Sequence, residues 1–334
     1  MMQTAMYRFH ELTLEMCQAR GVTGVDLGPL LDDLSWVRID AWEKPPMLRL
    51  AIRRHEGGLP IPPTVRQRFT AEGICGLEHG QEIYLTDGTS LVHLQPMQGR
   101  GEARLAPSFA DQSPLLQRHL WAFSLLTLLR PLGLYSLHAA GIVARGGEGF
   151  LVIGRPGSGK STLALGLIQQ GWSYLSDDAV LLRRQSQGVE ALACRQPFYV
   201  DAHAAAAYAA LLLDEAVPDA AGGWKRRVQI RAAYPGQSVA RCLPQVLLFA
   251  SIIPHPHSMV RPVDPHRALR HLLAESGPQL FDRRTMPQHL DVLTHLVQQT
   301  TTYELRAGLD VYHRPARLAE LLAEATGEGR WRAL

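Results

Sequence analysis

The chain has 334 residues, enough for two hydrophobic cores, and 46% of them are apolar, an ordinary value for a soluble fold. Its 34 basic and 31 acidic side chains leave a formal charge of +3 and are scattered, so neither a nucleic-acid surface nor another polyanionic partner is implied. Cys17, Cys75, Cys194 and Cys242 form no Cys-x-x-Cys pair, which disfavours a zinc ribbon or redox dithiol and fits a reduced, cytoplasmic setting.

At the N-terminus, Glu11 and Glu15 interrupt the apolar positions, so residues 1–20 do not read as a signal peptide. Alternating apolar residues over 35–40 and 47–53 predict strands. The runs Glu82-Ile83-Tyr84-Leu85 and Ser90-Leu91-Val92-His93-Leu94 flank Thr86-Asp87-Gly88-Thr89 and predict a hairpin. Residues 1–105 are therefore expected to form a smaller strand-rich domain that carries no chemistry of its own and is available for substrate or partner recruitment. Residues 98–107, rich in Gly and ending in Pro107, are the expected linker to a second domain spanning 106–334.

Ser113 as N-cap and Pro114 in the first turn predict a helix running to about Arg130. The most apolar stretch, residues 120–137, is broken by Arg130, Pro131 and Gly133, which predicts a buried helix and no membrane span. Two short strands follow, at 135–139 and 141–144, then a turn at Gly146-Gly147 and the apolar run Gly149-Phe150-Leu151-Val152-Ile153. Strands in such close succession predict an antiparallel pair, and hence a mixed sheet within an α/β fold.

That apolar run feeds Gly154-Arg155-Pro156-Gly157-Ser158-Gly159-Lys160-Ser161-Thr162, a Gly-x4-Gly-Lys-Ser phosphate-binding loop. Bare backbone amides at a helix N-terminus can converge on a triphosphate where a Cβ would obstruct. Lys160 has the reach for β- and γ-phosphate oxygens, and the Ser161 hydroxyl offers the hard oxygen that Mg²⁺ prefers. The cofactors expected are ATP and Mg²⁺. A helix over 162–170 ends at Gly171, and a strand over 172–176 delivers Asp177-Asp178 to its end. Phosphoryl transfer needs two acidic functions near the γ-phosphate, one on the metal and one orienting or deprotonating the acceptor. Asp177 is the candidate metal ligand beside Ser161. Further strands are predicted at 179–182 and 246–253, and helices at 265–276, 286–299 and 315–325.

Only three of the 34 Lys and Arg residues are lysines: Lys44, Lys160 and Lys225. Lys and Arg differ in reach and geometry at phosphates, so Lys225, in Gly222-Gly223-Trp224-Lys225-Arg226-Arg227, is a candidate contact for a phosphate or an acidic substrate. A solvated basic loop is the other reading of that segment.

The run Leu137-His138-Ala139-Ala140-Gly141-Ile142-Val143, the phosphate-binding loop, and Leu175-Ser176-Asp177-Asp178-Ala179-Val180 occur in an order and spacing that resemble the catalytic domain of the HPr kinase/phosphorylase family, kinases of the phosphoenolpyruvate carboxykinase superfamily. The resemblance implies a mixed-sheet P-loop kinase domain of HPr kinase type and a homo-oligomer. It implies that Asp178 takes the acceptor proton, that Lys160 and Ser161 bind phosphate and Mg²⁺, and that His138 lies in the active site. The family's Leu-Glu-x-Arg-Gly segment is replaced by Ala193-Cys194-Arg195-Gln196-Pro197, and residues 1–105 bear no likeness to the family's N-terminal domain. The expected activity is therefore serine or threonine phosphorylation of a protein or peptide other than HPr. A small-molecule kinase of shikimate or gluconate type, and an ATP-binding regulator without transfer activity, remain open alternatives.

Overall fold

The computed structural model describes residues 2–20, 22, 27–40, 44–194, 198–201, 213–218, 223–276 and 282–326. Arg195, Gln196, Pro197 and Gly222 lie outside the described residues. The chain divides into two compact units, one of residues 1–135 with 278–286, the other of 136–277 with 287–334.

The first unit is built on strands β1 (Met2–Phe9), β2 (Leu12–Ala19), β3 (Val37–Ile39), β4 (Leu48–Arg54), β5 (Arg66–Ala71), β6 (Ile74–His79), β7 (Glu82–Thr86), β8 (Leu91–Gln95) and β9 (Arg100–Leu105). They form one sheet in the order β3-β1-β2-β4-β9-β8-β7-β6-β5. Most neighbours are antiparallel, but β4 lies parallel to both β2 and β9. The predicted hairpin is present, with Thr86 opposite Leu91. Asp87 closes it by accepting from the Thr89 and Ser90 amides at 2.7 and 2.6 Å.

The segment expected to be a linker is instead β9, a central strand between β4 and β8. Its weak alternation buries only Ala103 and Leu105. Gly101, read as a linker residue, is there for packing: a Cβ would stand 2.7 Å from Leu94 and 2.9 Å from Leu50. The boundary expected near 105 falls at 135 for a related reason. Helix α1 (Pro114–Leu129), capped by Ser113 Oγ accepting from the Leu116 amide at 3.2 Å, packs on β6, β7 and β8 and belongs to this unit. Residues 282–286 return to it as well. The buried Arg130 Nε donates to Thr285 Oγ1 at 2.7 Å and lies 3.7 Å from Asp282.

In the second unit, β10 (Ala139–Val143), β11 (Gly149–Ile153), β12 (Ser173–Ser176), β13 (Pro244–Ile252), β14 (Met259–Pro262) and β15 (Thr301–Ala307) make a mixed sheet in the order β12-β10-β11-β13-β15-β14. β10 is antiparallel to β11 and β12, whereas β11, β13 and β15 run parallel. This is the mixed α/β sheet predicted from the closely spaced strands. β10 and β11 are buried throughout, as strands covered on both faces must be. Helices α2 (Lys160–Gln169) and α3 (Ala316–Thr326) share one core with Phe150, Val152, Leu248 and Leu305. A smaller sheet of Phe198–Asp201, Trp224–Val228 and Leu213–Pro218 packs its Phe198, Val200 and Val228 into that same core. Lys225 is thus on a strand and not in a loop. Among the described residues, no helix is long and apolar enough to cross a membrane.

Candidate active site

Strand β11 ends at Ile153, helix α2 starts at Lys160, and the glycine-rich loop is the connection between them. The Ser158 amide bonds to Arg155 O at 3.0 Å and closes the turn around Pro156 and Gly157. Two glycines are required by their surroundings. A Cβ on Gly154 would lie 2.6 Å from Ala250 O, and Gly159 has a φ of 87° with the Tyr312 hydroxyl 2.5 Å from where its Cβ would be. Gly159 precedes α2, and the Leu163 amide bonds back to Gly159 O at 2.8 Å, so the N-terminal end of the helix opens onto the loop. The Ser158 hydroxyl is buried with no hydrogen-bond partner among the described residues, a polar group positioned for a ligand to satisfy.

Lys160 is only 5% exposed, and its ammonium donates to Gly154 O at 2.7 Å and Arg155 O at 3.2 Å. Burial lowers its proton affinity, while Asp178, Asp177 and Glu275 oppose that shift. The next side chain reaches the acidic pair: Ser161 Oγ lies 2.9 Å from both carboxylate oxygens of Asp177. Asp177 is buried, and burial together with the adjacent Asp178 raises its carboxyl to about 7, against the bond from Ser161, the Lys160 charge and a bond from the Tyr199 amide. A buried carboxyl held at the edge of ionisation beside a hydroxyl is a pair of hard oxygen donors, which suits Mg²⁺. Ser161 and Asp177 could hold that ion, whose role would be to neutralise phosphate charge.

Asp178 has a left-handed backbone, φ 64°, which Asp tolerates better than bulkier residues. The turn that imposes it is local: the Ala179 amide donates to Asp177 O at 2.7 Å, and Ser176 Oγ donates to Ala179 O while accepting from the Cys194 amide. The two carboxylates therefore diverge in role, Asp177 toward Ser161 and Asp178 toward His138, whose Nε2 is 3.5 Å from Asp178 Oδ1. Burial outweighs the attraction of Asp178 and, with Lys160 and Lys225, lowers the His138 pKa, so the imidazole is neutral at neutral pH. The residues singled out in the sequence, from His138 through the loop to Asp178, converge on one place.

Three contributors carried no signal in the sequence. Glu275 closes helix α4 (Pro265–Glu275). Its carbonyl accepts from the His138 amide at 3.3 Å, and its carboxyl, raised by burial, feels Lys160 and Arg155. Tyr312 places a buried hydroxyl on Gly159, and Tyr199 offers a main-chain amide to Asp177. All are remote in sequence from the loop, so only the folded chain brings them there.

The fold and site define a mixed-sheet α/β protein whose glycine-rich loop opens a helix beside an acidic pair. Over part of its length the chain is HPr kinase/phosphorylase-like. It is 37% identical over 62 residues to the HPr kinase/phosphorylase of Chlorobium phaeovibrioides and equally to that of Chlorobium chlorochromatii. The match covers 19% of this chain and 19% of the length of each relative. The solved HPr(Ser) kinase/phosphatase of Coxiella burnetii is 13% identical, with 57% of this chain and 99% of that one covered at a TM-score of 0.28, a likeness too loose to carry an argument. No family model matches the chain.

Proposed function

We propose that this protein is an ATP- and Mg²⁺-dependent kinase that transfers the γ-phosphate to a Ser or Thr hydroxyl of a protein or peptide. The observation that carries this reading is the division of the acidic pair: Asp177 is 2.9 Å from Ser161 at the loop, while Asp178 is turned by its left-handed backbone to His138. A nucleotide binder without transfer needs the first carboxylate but not the second. In the proposed reaction the loop amides and Lys160 hold the phosphates, and Ser161 and Asp177 hold the ion that neutralises them. Asp178 takes the proton of the acceptor hydroxyl as its oxygen attacks the γ-phosphorus, and ADP leaves. His138, neutral and with Nε2 3.5 Å from Asp178 Oδ1, borders that carboxylate without protonating it. The partial likeness to HPr kinase/phosphorylases supports a protein acceptor. The N-terminal sheet, which bears no site of this kind among its described residues, is available to recruit that acceptor.

Incubating the protein with γ-labelled ATP and a cell extract, in parallel with Asp178→Asn, tests this. The wild type should label one or a few protein bands, and the variant should bind ATP within about twofold of wild type while labelling falls by about 10³-fold, the scale of a lost general base. Equal labelling by the variant would remove Asp178 from the mechanism. ATP binding with no labelled product in either would favour a nucleotide-responsive regulator.

A further inference from the structure

His138, the glycine-rich loop and the acidic pair line one edge of the mixed sheet, and strand direction gives that edge two flanks. β10 is antiparallel to β11 and β12, so its start meets the ends of both, with Ala139 opposite Ile153 and Gly141 opposite Ser176. His138, Asp177 and Asp178 therefore stand on one flank of the loop. On the other flank β13 runs parallel to β11, pairs Phe249 with Ile153, and continues to Ile252, opposite Ala307 of β15. Ligands of open α/β sheets lie across such strand ends.

Two side chains of the second flank reach the loop at Gly159. From the place a Cβ would occupy there, the Tyr312 hydroxyl is 2.5 Å away and Ile252 Cγ1 and Cδ1 are 3.4 Å away. Ile252 is a large apolar side chain left 52% exposed at the end of a strand whose centre is buried. Tyr312 packs against the core shared by α2 and α3, yet its hydroxyl is buried with no hydrogen-bond partner among the described residues. Its short helix, Leu309–His313, is fixed in place. The Leu309 and Asp310 amides donate to His255 O and Pro256 O at 2.9 and 3.1 Å, and the Asp310 carboxylate accepts from the Ser258 amide at 2.9 Å. An exposed apolar side chain and an unsatisfied hydroxyl, held beside the first turn of α2, match a ligand with an apolar face and a polar edge.

Resting on the kinase reading above, we propose that the nucleoside of the bound nucleotide lies on Ile252 and the Tyr312 ring, with the Tyr312 hydroxyl donating to the ribose. In that reading the acidic pair places the γ-phosphate on the flank of β10 and β12, and the loop holds the phosphates. The opposite end of the nucleotide then extends past Gly159 to the flank of β13 and β15, where these two side chains stand.

Calorimetric titration of the full chain with ATP and with tripolyphosphate, both with Mg²⁺, tests the placement, because tripolyphosphate lacks the nucleoside. Ile252→Asn, at an exposed position, should lose about fivefold in ATP affinity, the worth of a half-exposed apolar side chain. Tyr312→Phe, which removes only the hydroxyl, should lose about threefold to tenfold. Tripolyphosphate affinity should stay within about twofold in both variants. Unchanged ATP affinity in either variant, or equal weakening of ATP and tripolyphosphate, would overturn the nucleoside placement and leave the kinase reading intact. A wild type that binds neither ligand would sink both. If thermal melting shows that Tyr312→Phe does not fold, Ile252→Asn and Ile252→Ala carry the same comparison.

Discussion

Ser161 and Asp177 are sixteen residues apart in sequence, yet the serine hydroxyl sits 2.9 Å from both oxygens of the buried carboxylate. This contact joins the start of helix α2 to the end of strand β12, and the behaviour of the site follows from it.

Ser161→Ala removes a hydrogen bond that favours the ionised form of Asp177. The Asp177 carboxyl should climb above about 7, and Mg²⁺ should lose one oxygen donor. The expected cost is roughly 1.5–3 kcal/mol in Mg²⁺-dependent nucleotide affinity, as for hydrogen bonds to charged groups. Titrating ATP with and without Mg²⁺ checks it: the enhancement by the metal should shrink at least tenfold, and affinity without metal should change little.

The pH dependence of stability has a defined sign. Asp177 binds its proton more tightly in the folded chain, at about 7, than at its ordinary value of 3.8. Its contribution is therefore fully present below about pH 4 and is lost progressively as pH rises to about 7. Above that, the native state carries a buried charge that the unfolded chain solvates. Asp177→Asn should flatten this part of the melting-temperature profile and melt above the wild type at pH 8 in the absence of Mg²⁺. A variant with the same slope as the wild type between pH 4 and 7 would show that another group titrates there.

Gly159→Ala places a Cβ 2.5 Å from the Tyr312 hydroxyl at a backbone φ of 87°. Both strain and collision act against the native loop, and the expected loss is about 1–3 kcal/mol in denaturant unfolding. Pairing the change with Tyr312→Phe, which removes the colliding oxygen, should restore part of it. No restoration would assign the whole loss to the backbone.

Arg130, only 2% exposed, holds Thr285 at 2.7 Å and Asp282 at 3.7 Å, so it fastens residues 282–286 to the N-terminal unit. Arg130→Met should destabilise that unit by about 3 kcal/mol, because Asp282 is left without its cation. Nucleotide affinity, which the proposed function places in the second unit, should stay within about twofold. Differential scanning calorimetry together with ATP titration reads both.

Much of the site was legible because its chemistry is local. The spacing of glycines around Lys160 and Ser161 needs only a strand before and a helix after, and the apolar runs on either side supply both. Asp177 and Asp178 follow by one helix and one strand, so their proximity to the loop is a matter of a short connection. The fate of residues 100–105 was not legible. Gly and Arg there read as a linker, and only the neighbours β4 and β8 make the segment a strand.

By itself, the amino-acid sequence determined the loop, the helix it opens, the hairpin at Asp87-Gly88, and the acidic pair, since each depends on backbone preferences and on residues close along the chain. Tertiary structure alone decided that the two carboxylates take different directions, and that Glu275 and Tyr312 border the loop. Those relationships come from strand register and from burial between distant segments. No local pattern along the chain encodes which polar neighbours the packing of distant segments brings together.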